Sequence, residues 1–139
     1  MFTLHPQLEK DTLSLGRFTL CLLRLMNDSN YPWFILVPQR DAVREIHELE
    51  DTDRHRLWDE SALLSRALTR AFSPDKLNVA ALGNQVPQLH VHHIVRYRRD
   101  PAWPAPVWGR LPARPYQSAE AAKLVRLLTP LLESSFVPA

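Results

Sequence analysis

The hydrophobic pattern changes its period along the chain, and each change marks a predicted element. Residues 17–26 and 33–37 are apolar runs that suit β-strands, and the turn-forming sequence Asn-Asp-Ser-Asn separates them at positions 27–30. We therefore predict a β-hairpin. A period of three to four residues follows, which predicts a helix from Asp51 to Phe72. Its inward stripe consists of Leu57, Ser61, Leu64, Leu68 and Phe72.

The second half of the chain predicts two more strands and a second long helix. Residues 76–82 and 88–97 have strand character and flank a turn at 83–85, whereas residues 41–49 predict a short helical turn. Repeated prolines make residues 100–117 an extended segment, which also contains two tryptophans. Ser118 is expected to cap a helix over residues 118–133, with an apolar side formed by Leu124, Leu127, Leu128, Leu131 and Leu132. This order predicts a single domain over residues 1–139 with an α+β fold and a mainly antiparallel sheet.

The composition limits the classes of partner. The 139 residues include 17 basic and 15 acidic side chains, and the resulting net charge of +2 argues against a nucleic-acid polymer or a membrane surface as partner. No apolar run approaches the ~20 residues of a membrane span, and the first residues lack the pattern of a signal peptide. The single cysteine, Cys21, fits a reducing compartment. We therefore expect a soluble cytoplasmic protein.

Residues 87–96, Pro-Gln-Leu-His-Val-His-His-Ile-Val-Arg, carry the strongest chemical signal in the chain. In a strand, side chains at i and i+2 point to the same face, so Gln88, His90 and His92 are predicted to form one row. Imidazole groups titrate near neutral pH and can act as nucleophile, acid, base or metal ligand. Two of them beside an amide predict a functional polar cluster.

Less specific interpretations of the histidines remain open. A histidine on a strand is often a surface residue, which we expect for His5, His47 and His55, while His93 points away from the row to a structural or surface position. A His-x-His pair also occurs in zinc sites, but such a site needs a third protein ligand, and no cysteine or carboxylate is adjacent. A metal site on the histidine pair is therefore an alternative.

The sequence around the histidines resembles the histidine-triad (HIT) superfamily of nucleotide-binding proteins, whose signature is His-φ-His-φ-His-φ-φ with φ apolar. The chain has a His-φ-His element followed by an apolar pair and Arg96, and a Gly-Asn-x-Val-Pro loop precedes it. The match extends to Ile35-Leu36-Val37-Pro38, to the turn after it, to the long helix and to the Trp-Pro-rich tail at 103–109. The resemblance covers residues 12–110 and implies a bacterial HIT-domain protein with the fold of that family.

The register of the resemblance decides the roles that it implies. Aligning the trailing apolar pair and Arg96 places Gln88, His90 and His92 at the first, second and third triad positions. The alternative, with His90 first, His92 second and Ile94 third, displaces the arginine by two residues, so we prefer the first register. The resemblance then implies that His90 attacks the α-phosphorus of a nucleotide and forms a covalent intermediate. His92 would hydrogen-bond an oxygen of the phosphate or leaving group and could donate a proton.

Two positions depart from the family pattern and leave the rate of any reaction open. Gln88 can donate and accept hydrogen bonds but cannot carry a proton as a first histidine would. A further pocket histidine of the family, at the head of the Pro-terminated strand, falls on Trp33, which is expected to pack in the core or against a base. A nucleotide-binding module with little turnover is therefore an alternative to a nucleotide hydrolase or nucleotidyl transferase.

The resemblance also implies where the rest of a nucleotide would bind. Backbone N–H groups of the turn at 83–85 and the amides of Asn84 or Gln85 would meet the phosphoryl oxygens, and Gly83 would allow close approach or simply form a tight turn. Further candidates lie in the hairpin turn, where the ribose would bind, and at a strand end: Asn27, Asp28 and Asn78. All three could instead be structural. Family members commonly form two-fold homodimers, which we expect here, and we expect no cofactor or resident metal.

Overall fold

A computed structural model describes residues 1–139. The chain folds around one antiparallel sheet. The strands are β1 (Thr12–Arg17), β2 (Cys21–Met26), β3 (Trp33–Pro38), β4 (Lys76–Ala80), β5 (Val91–Arg96) and β6 (Val137–Pro138). The helices are α1 (Pro6–Asp11), α2 (Asp51–Phe72) and α3 (Ser118–Leu128), with 3-10 turns at Ile46–Glu48 and Thr129–Leu131. The strand order is β4-β5-β3-β2-β1-β6, and every neighbouring pair is antiparallel. The predicted α+β fold with a mainly antiparallel sheet is confirmed.

Strands β3 and β5 are buried on both faces, which explains the continuous apolar sequence of β3. On β3, Phe34 and Leu36 pack with α2 on one face of the sheet. The alternate residues form part of a second apolar cluster on the opposite face: Trp33, Ile35 and Val37. Strand β5 alternates in the same way, because Val91 and Val95 pack on the α2 side and Ile94 packs in the second cluster.

Helix α2 covers the first face of the sheet, and its bounds are those predicted from the hydrophobic period. Its buried residues include four of the predicted stripe: Leu57, Ser61, Leu64 and Leu68. Glu60 is also buried, and its two carboxylate oxygens accept hydrogen bonds from the backbone N–H groups of Leu20 and Cys21, each at 2.9 Å. These bonds tie the helix to the connection between β1 and β2. None of the helices has both the length and the apolar character needed to cross a membrane.

Several boundaries differ from the sequence-based expectations. The apolar run at 17–26 is interrupted at residues 18–20, where the Phe18 N–H donates to the Cys21 carbonyl at 2.8 Å, so it belongs to two strands. Strand β5 begins at Val91 instead of residue 88, and the residue that caps α3 is Gln117, one position before Ser118. Leu127 is exposed, because only one side of α3 rests on the core. Helix α1 and strand β6 were not predicted.

The Pro/Trp-rich segment at residues 100–117 contains no helix or strand and packs on the sheet face opposite α2. Arg96, the last residue of β5, is almost fully buried and holds this segment in place. Its guanidinium donates to both carboxylate oxygens of Asp100 at 2.9 and 3.1 Å and to the carbonyl oxygen of Ala105 at 2.8 Å. Because the buried charge is paired and hydrogen-bonded, the segment remains docked and keeps Trp108 beside the sheet.

Candidate functional site

Two histidines meet at the start of β5, on the sheet face opposite α2. His90 immediately precedes the strand and His92 is its second residue. Their ring centroids are 4.9 Å apart, the ring planes are at 73° to each other, and both side chains are buried. The structure therefore brings His90 and His92 together on one face, as the i, i+2 spacing predicts.

The hydrogen bonds of His90 determine which of its ring nitrogens is free. Nδ1 lies 2.7 Å from the backbone carbonyl oxygen of Gln88, which can only accept, so Nδ1 carries the proton. Nε2 has no hydrogen-bond partner in the protein. Tyr31 Oη is the only fully buried side-chain polar atom without a partner, so the unpartnered Nε2 of His90 reaches the solvent. His90 thus presents an unprotonated nitrogen at the surface of the site.

The surroundings of His90 favour its neutral form. Burial lowers the pKa of His90 from its ordinary value of 6.5, the hydrogen bond to the Gln88 carbonyl partly opposes this, and the nearby His5 lowers the pKa further. The ring is therefore uncharged at neutral pH. A neutral imidazole with Nδ1–H anchored on a carbonyl is a competent nucleophile through Nε2.

His92 differs from His90 because both of its ring nitrogens are occupied. The indole N–H of Trp33 donates to His92 Nδ1 at 3.0 Å, so Nδ1 carries no proton. Nε2 carries the proton and donates to the carbonyl oxygen of Leu82 at 2.8 Å. Burial is the main cause that lowers the pKa of His92 to about 4. In this arrangement His92 has neither a free nitrogen for a phosphate oxygen nor a proton to release, which differs from the role that the resemblance implied.

Gln88, like His90, precedes β5, and both ends of its side-chain amide are hydrogen-bonded to the first residues of the chain. Its amide oxygen accepts a hydrogen bond from the backbone N–H of His5 at 2.9 Å, and its amide nitrogen donates to the carbonyl oxygen of Thr3 at 2.9 Å. Both ends of the side chain are therefore used to hold the first residues of the chain beside the site.

A polar cavity of about 390 Å³ opens beside His90. Gly83 and Asn84 line it, whereas Gln85 does not. A Cβ on Gly83 would lie 2.7 Å from the Val86 carbonyl oxygen and 3.0 Å from His90 Cε1, so the loop approaches the ring as closely as only glycine permits. Asn84 is exposed, and its amide makes no hydrogen bond within the protein. The loop therefore offers a free amide in a cavity that His90 also lines.

The hairpin-turn residues Asn27 and Asp28 make structural hydrogen bonds and also line a second cavity, of about 460 Å³. Asn27 Oδ1 accepts from the backbone N–H of Tyr116 at 2.8 Å. Asp28 Oδ1 accepts from the backbone N–H groups of Asn30 and Arg114, at 3.0 and 3.2 Å. These hydrogen bonds account for an asparagine and an aspartate at these positions even without a ligand. Because both side chains line the second cavity, they would also lie near a molecule bound there.

Asn78 lies at neither cavity. It is in the middle of β4, opposite Ile94 of β5, and its Oδ1 accepts a hydrogen bond from Arg96 at 2.7 Å. The structure therefore places Asn78 away from the candidate site, because its side chain is needed to satisfy a buried guanidinium.

Two tryptophans lie beside His92 and also border the second cavity. Trp33 and Trp108 both line that cavity. The Trp108 ring centroid lies 5.1 Å from that of His92 and 5.6 Å from that of Trp33, with nearly perpendicular ring planes in both cases. Trp33 is buried, as expected for core packing, but its hydrogen bond to His92 was not predicted. The pair forms an aromatic wall against which a ligand in the second cavity could pack.

Two residues near His90 were not identified from the sequence. Arg44 lines the cavity at His90, and His5 lines an adjoining cleft of about 360 Å³. The sequence predicts a surface position for His5, and the hydrogen bond from its backbone N–H to Gln88, 83 positions further along the chain, holds it near the site. An arginine in a loop is usually solvated, so no spacing signal distinguishes Arg44 from the other basic residues.

His93 has a structural position on the α2 side of β5. The Ser61 hydroxyl donates to its Nε2 at 2.7 Å, its Nδ1–H donates to the carbonyl oxygen of Val91 at 3.1 Å, and the side chain is fully buried. Burial lowers the pKa of His93 to about 4. The prediction that His93 points away from the row is confirmed.

A metal site on the histidine pair finds no support in the surrounding side chains. Both ring nitrogens of His92 are engaged by other groups. No cluster of three or more histidine, cysteine, aspartate or glutamate side chains is arranged to hold a metal ion. The third ligand that a zinc site would need is therefore not in place.

Comparisons with known proteins agree on one family. The family model of the HIT domain matches residues 7–99. The solved structure of a histidine triad protein from Marinobacter aquaeolei VT8 is 53% identical, with a TM-score of 0.93 over 95% of this chain and 96% of that one. Histidine triad proteins from Sinorhizobium meliloti 1021 and Bradyrhizobium japonicum are 43% and 40% identical, each with a TM-score of 0.93 over 95% of this chain and 98% of theirs. No curated protein matches the chain.

Proposed function

Because the chain belongs to the HIT domain family, whose members are generally nucleotide-binding hydrolases or transferases, we propose that it acts at the α-phosphate of a nucleotidyl substrate. The reaction would be hydrolysis or transfer through a covalent intermediate on His90. One observation carries this proposal: His90 Nε2 is unprotonated, unpartnered and open to solvent, while Nδ1 is anchored on a carbonyl oxygen.

The proposed chemistry has two displacements. In the first, the Nε2 lone pair attacks the α-phosphorus, and the bond to the leaving group breaks with its electron pair on the departing atom. The ring becomes a nucleotidyl imidazolium whose Nδ1–H still donates to the Gln88 carbonyl, and this charge-assisted hydrogen bond stabilises the positive ring. In the second, water or another acceptor attacks the phosphorus, loses a proton to solvent, and the P–N electron pair returns to Nε2.

The two cavities suggest how a nucleotide would lie. The phosphate would occupy the polar cavity, where the Asn84 amide and the backbone N–H groups of the 83–85 turn can meet negative charge on its oxygens. The nucleoside would extend into the second cavity, with its base against Trp108 and its ribose near Asn27 and Asp28. In this placement the hairpin turn would contact the ribose, whereas Asn78 would contact no part of the nucleotide.

The test of the mechanism compares His90→Ala with His55→Ala, which removes an exposed histidine on α2. Initial rates are measured with a dinucleoside polyphosphate and a nucleoside phosphoramidate, and the intact mass of quenched protein is measured for a nucleotidyl adduct. We expect turnover and adduct in the parent and in His55→Ala, and neither in His90→Ala. Equal turnover by His90→Ala and the parent would exclude the mechanism.

A nucleotide-binding module with little turnover is the second candidate. It is favoured by the occupied nitrogens of His92, which cannot then move a proton, and by Gln88, whose amide cannot carry one and is bound to the N-terminal backbone. Calorimetry with nucleoside monophosphates, carried out beside the turnover assay, separates the two candidates. Binding without turnover of any nucleotidyl substrate would favour the module.

We also propose a two-fold homodimer in the cytoplasm. Strand β4 is at an edge of the sheet and exposes Val79, so its unpaired backbone groups are available for a second copy. The free, buried Cys21 is consistent with a reducing compartment. Sedimentation equilibrium at micromolar concentration tests the dimer, and a monomer there would contradict it.

A further inference from the structure

We propose that a cleft next to the His90 cavity, with Arg44 and His5 in its walls, binds the leaving group of the reaction, and that this leaving group carries phosphate. The inference rests on the proposed function, since it concerns the group that departs from the phosphorus. It also assigns a role to Gln88 and to the N-terminal strap, by which we mean residues 1–5.

The hydrogen bonds of the histidine pair limit the kinds of leaving group. An amine or an alkoxide needs a proton in order to depart readily. His92 cannot supply that proton, because its Nδ1 has none and its Nε2–H is bound to the Leu82 carbonyl. A phosphate group needs none: when the P–O bond breaks, its electron pair remains on the bridging oxygen, which departs as a phosphate anion. The site therefore favours a polyphosphate chain over an amine.

The position of the cleft suits such a chain. The His90 cavity of about 390 Å³ and the neighbouring cleft of about 360 Å³ share Arg44, Pro87 and Gln88 in their walls, so the two spaces adjoin. His5 lines the outer cleft. A substrate with its reacting phosphorus at His90 would extend past Arg44 toward His5.

Arg44 is available to bind an anion. Its guanidinium makes no hydrogen bond or ion pair with the protein, and only its backbone N–H is used, donating to Glu48 at 3.0 Å. The Glu48 carboxylate also accepts the backbone N–H of Glu45 at 2.8 Å, and the Glu48 N–H donates to the Glu45 carbonyl oxygen at 3.1 Å, which holds this loop in shape. Asp41 is paired with the terminal amino group of Met1. An arginine on a braced loop suits phosphate, because its planar guanidinium can donate two parallel hydrogen bonds.

The N-terminal strap forms the outer wall of the cleft, and Gln88 holds it there. The Gln88 amide binds the backbone of Thr3 and of His5, each at 2.9 Å. The ring of His5 accepts a hydrogen bond from the Gln7 N–H through Nδ1 at 3.0 Å, so its Nε2–H is left to donate to a ligand. Gln88 then stands at the first triad position as a residue that builds the cleft.

The first test measures binding of inorganic tripolyphosphate by titration calorimetry, which needs no turnover. We expect the parent protein to bind it and Arg44→Gln to bind it about tenfold more weakly or worse, because charge-assisted hydrogen bonds are lost. Arg70→Gln is the matched control, since Arg70 is exposed on α2 and lines neither cavity at His90. It should bind as the parent does. No binding by the parent, or equal losses in the two variants, would overturn the subsite.

Turnover then distinguishes failure of the subsite from failure of the proposed function. Two substrates share one nucleotidyl group: a dinucleoside tetraphosphate and the p-nitrophenyl ester of the nucleoside monophosphate, whose leaving group has no phosphate. Arg44→Gln should lower the ratio of their kcat/KM values, tetraphosphate over ester, about tenfold, and Arg70→Gln should leave that ratio as in the parent. An unchanged ratio in Arg44→Gln would refute the subsite while leaving the chemistry of His90 intact. If neither substrate is turned over, the proposed enzymatic function fails, and tripolyphosphate binding alone decides the subsite.

Discussion

Replacing Trp33 with phenylalanine removes the indole N–H that holds His92 in one tautomer. The bond from Trp33 Nε1 to His92 Nδ1 is 3.0 Å long, and both side chains are buried. Phenylalanine keeps an aromatic ring beside Trp108 but leaves the Nδ1 lone pair without a donor. We therefore expect a less stable protein in which His92 takes up a proton more readily.

The size of the effect follows from the burial of the pair. A buried acceptor that loses its donor costs about 1–3 kcal/mol in the free energy of unfolding, and the smaller ring adds a packing loss of about 1 kcal/mol. The sum, about 2–4 kcal/mol, is below the roughly 5–15 kcal/mol of a typical domain, so Trp33→Phe should still fold. The pKa of His92 should rise from about 4, because no donor then opposes a proton on Nδ1.

Urea unfolding measures the first effect, and ring-nitrogen NMR measures the tautomer and pKa of His92. Trp58→Phe is the matched control, because Trp58 is 49% exposed on α2 and makes no hydrogen bond; it should cost less than about 0.5 kcal/mol. A double-mutant cycle with His92→Phe should give a coupling of about 1 kcal/mol or more. Unchanged stability of Trp33→Phe, or a proton on Nδ1 of His92 in the parent, would refute the reasoning.

Three further predictions concern the loop, the buried carboxylate and the response to acid. Gly83→Ala would place a Cβ 3.0 Å from His90 Cε1, so the loop must shift, and kcat/KM should fall about tenfold or more in steady-state assays; an unchanged value would contradict this. Glu60→Gln replaces one of the two oxygens that accept backbone N–H groups by an NH2 donor, and should lower the free energy of unfolding in urea by about 2 kcal/mol. A negligible decrease would count against these two hydrogen bonds. His92 and His93 have a pKa of about 4 when folded and 6.5 ordinarily, so the unfolded chain binds more protons between these values. The contribution of these two histidines to the free energy of unfolding is complete above pH 6.5. As the pH falls toward 4, each histidine lowers that free energy by about 1 kcal/mol per pH unit. A constant free energy of unfolding between pH 6.5 and 4 would contradict this.

The elements with a sustained side-chain period were determined by the sequence alone. Helix α2 has the predicted bounds, because its apolar stripe recurs over its whole length. The hairpin of β2 and β3 follows from two apolar runs with a turn sequence between them, and the shared face of His90 and His92 follows from their i, i+2 spacing. These are local properties, since a period and a turn sequence specify which way each side chain points whatever the rest of the chain does.

The tertiary structure alone decided which atoms those side chains meet. Trp33 donates to His92 across 59 positions of sequence, and Gln88 binds the backbone of Thr3 across 85. The first contact sets the protonation of His92, and the second holds the first residues of the chain beside the site. Both depend on strand register and on where the chain ends fold back, which no local period encodes. Residue spacing therefore predicted where His90 and His92 lie, whereas long-range hydrogen bonds determined that His92, unlike His90, has no free ring nitrogen.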